Sequence, residues 1–330
     1  MKHQIILMLA LFISIALGVS SVINSSWSRK FWYVLRHRKQ PTLQPIGIPE
    51  FKCNGNYRNI IFLHHSTGRN LIRERKVREI LTEKGYFFWD HDYNSIGLTD
   101  PSGVRLNLCY DIPSDRTDKR GNGNTNPDGL AILFDQPVHN PPDNAFSRLL
   151  QHEVIIFKSC FPNSAIKSDQ MLDQYKKWLL GIRKIIDQHP DKIFIPFTLP
   201  PLHPLATNIE EANRARKFAD WLKSSEYLAG HPNIYVFDLF DLLADSSTNM
   251  LRLDFQRNSN NRDSHPNRKA NRTIGPILVD FIDTIITNYC EKNIKWVSSS
   301  THKKDNIIIP QDKTPPSRPQ NLESEFVFQE

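Results

Sequence analysis

The chain has 330 residues, 39% hydrophobic and 23% charged, which allows one good buried core; we read one domain with extensions at both ends. Forty-two basic against 35 acidic residues give a formal charge of +7, which permits attraction to anionic polymers or headgroups. The basic residues are spread along the chain with no aromatic-interleaved motif, so nucleic-acid binding is not expected. Cys53, Cys109, Cys160 and Cys290 lack the C-x-x-C spacing of a zinc or redox site, and Cys160 reads as a small core residue in an apolar strand.

Residues 5–24 form an uncharged apolar run long enough to cross a bilayer. Residues 1–24 therefore read as a signal peptide or an N-terminal membrane anchor, and the expected location is extracytoplasmic. Arg29, Lys30, Arg36, Arg38 and Lys39 follow on the downstream side and leave the orientation open. Residues 25–56, with Pro41, Pro45 and Pro49, read as a linker, residues 57–290 as the folded domain, and the polar, Pro-rich 291–330 as a disordered tail.

Within the domain, Arg58–His64 predicts a strand, and the apolar spacing of Leu71, Val77, Ile80 and Leu81 predicts a helix over Asn70–Lys84. After a strand in YFFWDHD, the Gly-, Asn- and Pro-rich interval Asp92–Phe146 reads as loops with short strands. The pattern resumes with strands over Val154–Cys160, Lys192–Thr198 and Asn233–Phe237, alternating with helices over Gln170–His189 and Ile209–Leu228, and closes with a helix over Asn267–Tyr289. Buried strands alternating with amphipathic helices predict an α/β fold, a mainly parallel sheet covered on both faces.

Two segments carry candidate chemistry. Ser66, in His64-His65-Ser66-Thr67-Gly68, falls where a strand's carboxyl end meets a helix, a position that suits a nucleophile and equally suits a helix cap. Asp263 and His265, in Asp263-Ser264-His265-Pro266-Asn267, lie two apart just before the last helix and supply the base and orienter that a serine hydroxyl needs. Asn163 follows the strand Val154–Cys160 in Phe-Pro-Asn-Ser and reads as a turn residue whose side chain bonds nearby backbone. His64, His65, Asp90, His91 and Asp92 raise a metal reading, but adjacent strand residues point to opposite faces, so His64 and His65 are not expected to ligate one ion together. No metal or cofactor is expected.

This arrangement resembles the SGNH, or GDSL-like, hydrolase superfamily over about Tyr57–Tyr289. The resemblance implies a three-layer α/β/α sandwich of flavodoxin-like type. It also implies Ser66 as nucleophile, His265 as base, Asp263 as its orienter, and Asn163 with a glycine, Gly97 or Gly129, as oxyanion donors. His65, Asp92 and Asn94 would line the pocket. Two departures stand out: His64-His65 replaces the usual Gly-Asp before the serine, and one residue rather than two separates Asp263 from His265. The expected activity is ester hydrolysis through an acyl-enzyme, with an O-acylated glycan or another ester as partner and the membrane met only through the N-terminal segment. The alternatives are an O-acyltransferase using the same residues, a catalytically inactive glycan-binding protein, and a metal-dependent hydrolase.

Overall fold

The computed structural model describes residues 57–93, 97–106, 108–110, 112 and 126–301, with side chains as far as residue 290. The N-terminal apolar run, the linker with Cys53, and Asn94 lie outside the described residues. Among the described residues no helix is long and apolar enough to cross a membrane.

The chain is an α/β protein. Strands β1 (Asn59–His64), β2 (Phe87–Asp92), β4 (Val154–Phe157) and β5 (Ile193–Pro196) pair in parallel, and the two-residue β3 (Leu98–Thr99) joins the edge antiparallel, in the order β3-β2-β1-β4-β5. NIIFLH, VIIF and IFIP are buried along their whole length, as parallel strands covered on both faces must be. On one face, helices α1 (Ser66–Glu74), α2 (Val77–Glu83) and α9 (Arg268–Thr301) pack Leu71, Leu81, Leu278 and Ile282 against Ile60, Phe62 and Ile156. On the other, α3 (Pro127–Phe134), α4 (Ala145–Leu149), α5 (Asp169–Ile186) and α6 (Ile209–Lys223) pack Leu133, Phe146, Leu179 and Phe218 against Ile61, Leu63 and Phe157. These are the three layers expected.

Several elements differ from expectation, each for a local reason. The helix expected over Asn70–Lys84 is two helices, because Lys76 adopts the left-handed conformation at φ 55° and turns the chain. The corner resets the helical phase, so that Leu71 and Ile72 in α1, and Val77 and Leu81 in α2, all face the sheet. Residues 233–237 touch β5 only through the isolated parallel bridges Phe194↔Ile234 and Phe197↔Phe237. Between them stands Pro196, which has no N–H to donate, and the ladder is interrupted there. β4 ends at Phe157, so Cys160 lies half-buried in the loop after the strand rather than inside it.

The interval expected as loops contains α3, where Pro127 takes the first helical position and Leu130, Leu133 and Phe134 are buried. The helix expected over Ile209–Leu228 breaks at the extended Ser224, leaving α6 and the short α7 (Ser225–Leu228). The last helix runs through Thr301, past the boundary at 290 where composition placed a tail.

Candidate active site

The carboxyl ends of β1 and β4 meet where the chain leaves the sheet in opposite directions, the crevice at which open α/β sheets bind ligands. Ser66 is the first residue of α1, immediately beyond β1. The N-cap position belongs to His65, with no side-chain cap, so Ser66 does not cap the helix. Its hydroxyl lies 2.7 Å from His265 Nε2. His265 Nδ1 lies 2.5 Å from Asp263 Oδ1, and the His265 backbone N–H donates to the same oxygen at 3.0 Å. A carboxylate facing Nδ1 fixes the proton there and turns the Nε2 lone pair toward Ser66. Burial pushes the Asp263 carboxyl up, but the hydrogen bonds from His265 and the charges of His265 and Arg257 outweigh it and hold the group below its ordinary value.

Each residue of the Asp263–Asn267 segment helps to hold it. Ser264 is fully buried and its hydroxyl accepts from the His203 backbone N–H at 2.9 Å. Pro266 bridges antiparallel to Gln256, and its carbonyl accepts from Arg257 Nε at 3.2 Å. The Asn267 amide donates to the carbonyls of Asp254 and Gln256, both at 2.9 Å, while its oxygen accepts from the Ala270 N–H. The loop can therefore present a base two residues from its orienter without a second spacer.

The other candidates fall into different places. Asn163 is buried in a single turn (Phe161–Ser164) after β4, and its amide donates to the Cys160 carbonyl at 3.2 Å. The Gly97 carbonyl accepts from the Asp92 N–H in the β2–β3 connection. Gly129 stands in the first turn of α3 rather than in a loop. Asp92, at the end of β2, accepts from Arg69 Nε at 2.6 Å and also from Nη2.

The two histidines before Ser66 point to opposite faces of the sheet. His64 is fully buried, with Nε2 2.9 Å from Asp90 Oδ2 and Nδ1 2.9 Å from the His65 carbonyl; Arg78 pairs with the other Asp90 oxygen. His65 packs its ring against Tyr93, centroids 5.3 Å apart, and among the described residues its buried Nδ1 has no hydrogen-bond partner. Burial lowers the His64 pKa to about 4 and, with the Lys158 charge nearby, the His65 pKa to about 3. Among the described residues no group of three His, Cys, Asp or Glu side chains could hold a metal ion.

Three further residues shape the site and carried no motif. Phe161 sets its ring edge-on to His265, centroids 4.7 Å apart. Lys158, the first residue after β4, is fully buried; its ammonium donates to the Ser159 carbonyl at 2.9 Å and burial lowers its pKa. Gly68 lies so close to β1 that a Cβ there would come 2.4 Å from His64 Cβ, a close approach that only glycine permits and that hindsight can read in the Ser-Thr-Gly turn.

No protein-family profile matches this chain, and no curated protein matches it. Two solved structures are similar to it at low identity. One, described as "a putative platelet activating factor from Streptococcus pneumonia", is 12% identical with a TM-score of 0.41, over 82% of this chain and 98% of that one. The other, described as "a putative acylhydrolase" from Bacteroides fragilis, is 10% identical with a TM-score of 0.42, over 76% of this chain and 98% of that one.

Proposed function

We propose that this chain is a serine-dependent ester hydrolase acting through an acyl-enzyme. The observation that carries the reading is the hydrogen-bonded series from Ser66 Oγ to His265 Nε2, 2.7 Å, and from His265 Nδ1 to Asp263 Oδ1, 2.5 Å. In this reading Ser66 Oγ attacks the ester carbonyl while His265 Nε2 takes its proton, and Asp263 stabilises the imidazolium so formed. The oxyanion develops beside the first turn of α1, whose N–H groups at Ser66, Thr67 and Gly68 precede the first N–H that bonds within the helix, that of Arg69 to the His65 carbonyl. Asn163 supplies a side-chain donor through the amide hydrogen not given to Cys160. Collapse passes the proton from His265 to the leaving alkoxide; a water then repeats the sequence and frees the acid.

The substrate we favour is an O-acylated carbohydrate with a short acyl group. Support comes from a cleft of about 500 Å³ beside α1, whose lining includes the guanidinium groups of Arg69, Arg73, Arg78 and Arg105 and the carboxylates of Glu79, Glu83, Asp90 and Asp92. Such groups offer donors and acceptors to the hydroxyl groups of a sugar. The deciding experiment is turnover of 4-nitrophenyl acetate by the protein and by Ser66→Ala, alongside labelling with a fluorophosphonate. Loss of turnover with retained folding, and labelling at Ser66, are expected. Equal turnover by Ser66→Ala would exclude the assignment.

A further inference from the structure

The same cleft lies along α1, between that helix, α2 and the hairpin closed by the Thr99↔Arg105 bridge after β3; Arg69 and Arg73 line it from α1, and Ser66 stands outside its lining. Ser66, Arg69 and Arg73 stand at i, i+3 and i+7, on one stripe of the helix. Seven residues at about 1.5 Å rise place Arg73 about 10 Å along the axis from Ser66. Helical side chains lean toward the N-terminus, so the Arg73 guanidinium reaches back in the direction of the serine. Arg105, on the hairpin, lines the same cleft.

The charges in the cleft are not equivalent. Arg69 is committed to Asp92, and Arg78 to Asp90 and to the carbonyls of Phe88 and Asp100. Arg73 and Arg105 are exposed, and among the described residues neither guanidinium has a hydrogen bond or ion pair. Glu79 and Glu83, which among the described residues have no ion-pair partner, stand on α2 one turn apart and line the cleft from that helix. An anion is therefore attracted between Arg73 and Arg105 and repelled from the α2 wall.

We propose that this cleft is a subsite for an anionic group, carboxylate or sulfate, on the alcohol portion of the ester, held by Arg73 and Arg105. The inference deepens the hydrolase reading and takes from it the position of the ester at Ser66. Planar guanidinium groups suit it because they can grip oxyanions bidentately.

Two esters that differ in one charge test it, phenyl acetate and 4-acetoxybenzoate. The wild-type protein should show the lower KM for 4-acetoxybenzoate, and in Arg73→Ala/Arg105→Ala the ratio of the anionic to the neutral KM should rise about tenfold or more. Arg73→Glu/Arg105→Glu should raise it further, and added salt should lessen the wild-type preference. An unchanged ratio in both double variants overturns the subsite.

Binding to Ser66→Ala supplies a readout that needs no turnover. By ligand-observed NMR, 4-hydroxybenzoate or 4-hydroxybenzenesulfonate should bind more tightly than phenol, the stronger of the two identifying the anion. That advantage should vanish on adding the two arginine substitutions; equal binding of phenol overturns the subsite. If the wild-type protein hydrolyses neither ester, the hydrolase reading fails alone and these binding comparisons still decide the cleft.

Discussion

The Phe161 ring stands edge-on to the His265 imidazole, with centroids 4.7 Å apart and planes at 73°. Asp263 holds one nitrogen of that imidazole and Ser66 meets the other, but a ring held along that line can still tilt about it. Phe161 closes that freedom from the β4 side. Phe161→Ala should lower kcat/KM for an activated acetyl ester by about tenfold or more, since a misplacement of about 1 Å can cost on the order of a hundredfold. Phe161→Tyr should restore most of it. Unfolding midpoints of the three proteins separate this positioning role from a general loss of packing, which would lower stability and leave kcat/KM per folded molecule unchanged.

Asp263→Asn keeps the shape of the orienter and removes its charge. The new amide would keep its oxygen toward the His265 backbone N–H and Nδ1–H, which share one acceptor, but the imidazolium formed as Ser66 attacks would lose its counter-charge. A fall in kcat of about 10² or more is expected, with far-ultraviolet circular dichroism unchanged. A loss of less than about tenfold would mean that another group orients His265.

The strands that carry the site were legible because they are short, continuous and apolar on both faces. DSHPN was legible because each of its residue types does a local job: a carboxylate beside an imidazole, a proline at the entry, and an asparagine whose oxygen takes the Ala270 N–H of the last helix. The role of Phe161 was not legible, since an aromatic in a turn shows no period and its partner lies 104 positions away, 265 minus 161. The His64-His65 pair resisted reading for a similar reason. Its meaning depends on Asp90 and Arg78 on one face and Tyr93 on the other, none of which can be assigned before the β1–β2 register aligns Phe62 with Asp90 and His64 with Asp92. The corner at Lys76 was missed because a left-handed lysine has no sequence signal comparable to glycine.

Gly68→Ala sets two effects against each other. Alanine favours a helix over glycine by about 1 kcal/mol. Against this, the new Cβ would lie 2.4 Å from His64 Cβ and 2.9 Å from His64 Cγ, and His64 cannot give way without breaking its contacts to Asp90 and the His65 carbonyl. The clash should win, with a net destabilisation of about 1 to 3 kcal/mol in urea titration. Because α1 would be pushed off β1, Ser66 should lose its contact with His265, and activity should fall along with stability. A stabilised variant would show that α1 moves freely over the strand.

Acid should unfold this protein earlier than its carboxylates alone would require. Burial lowers the pKa of His64 to about 4 and those of His65, His91 and His152 to about 3. In the unfolded chain these groups titrate near 6.5. Between these values the unfolded state binds more protons than the folded state, so stability falls as pH falls, from about 6.5 downward. Near pH 5 each histidine approaches one proton of difference, and four together give a slope of at most about 5 kcal/mol per pH unit. Glu153 and Asp238, whose carboxyls are pushed up by burial, work in the opposite sense, but as two groups against four they reduce the slope without reversing it. Denaturant titrations at pH 7, 6 and 5 should show a steep loss of unfolding free energy, with most of it before Asp263 begins to protonate. A flat profile over that interval would mean that the buried imidazoles already carry their protons in the fold, and that Asp90 holds His64 as a charged partner.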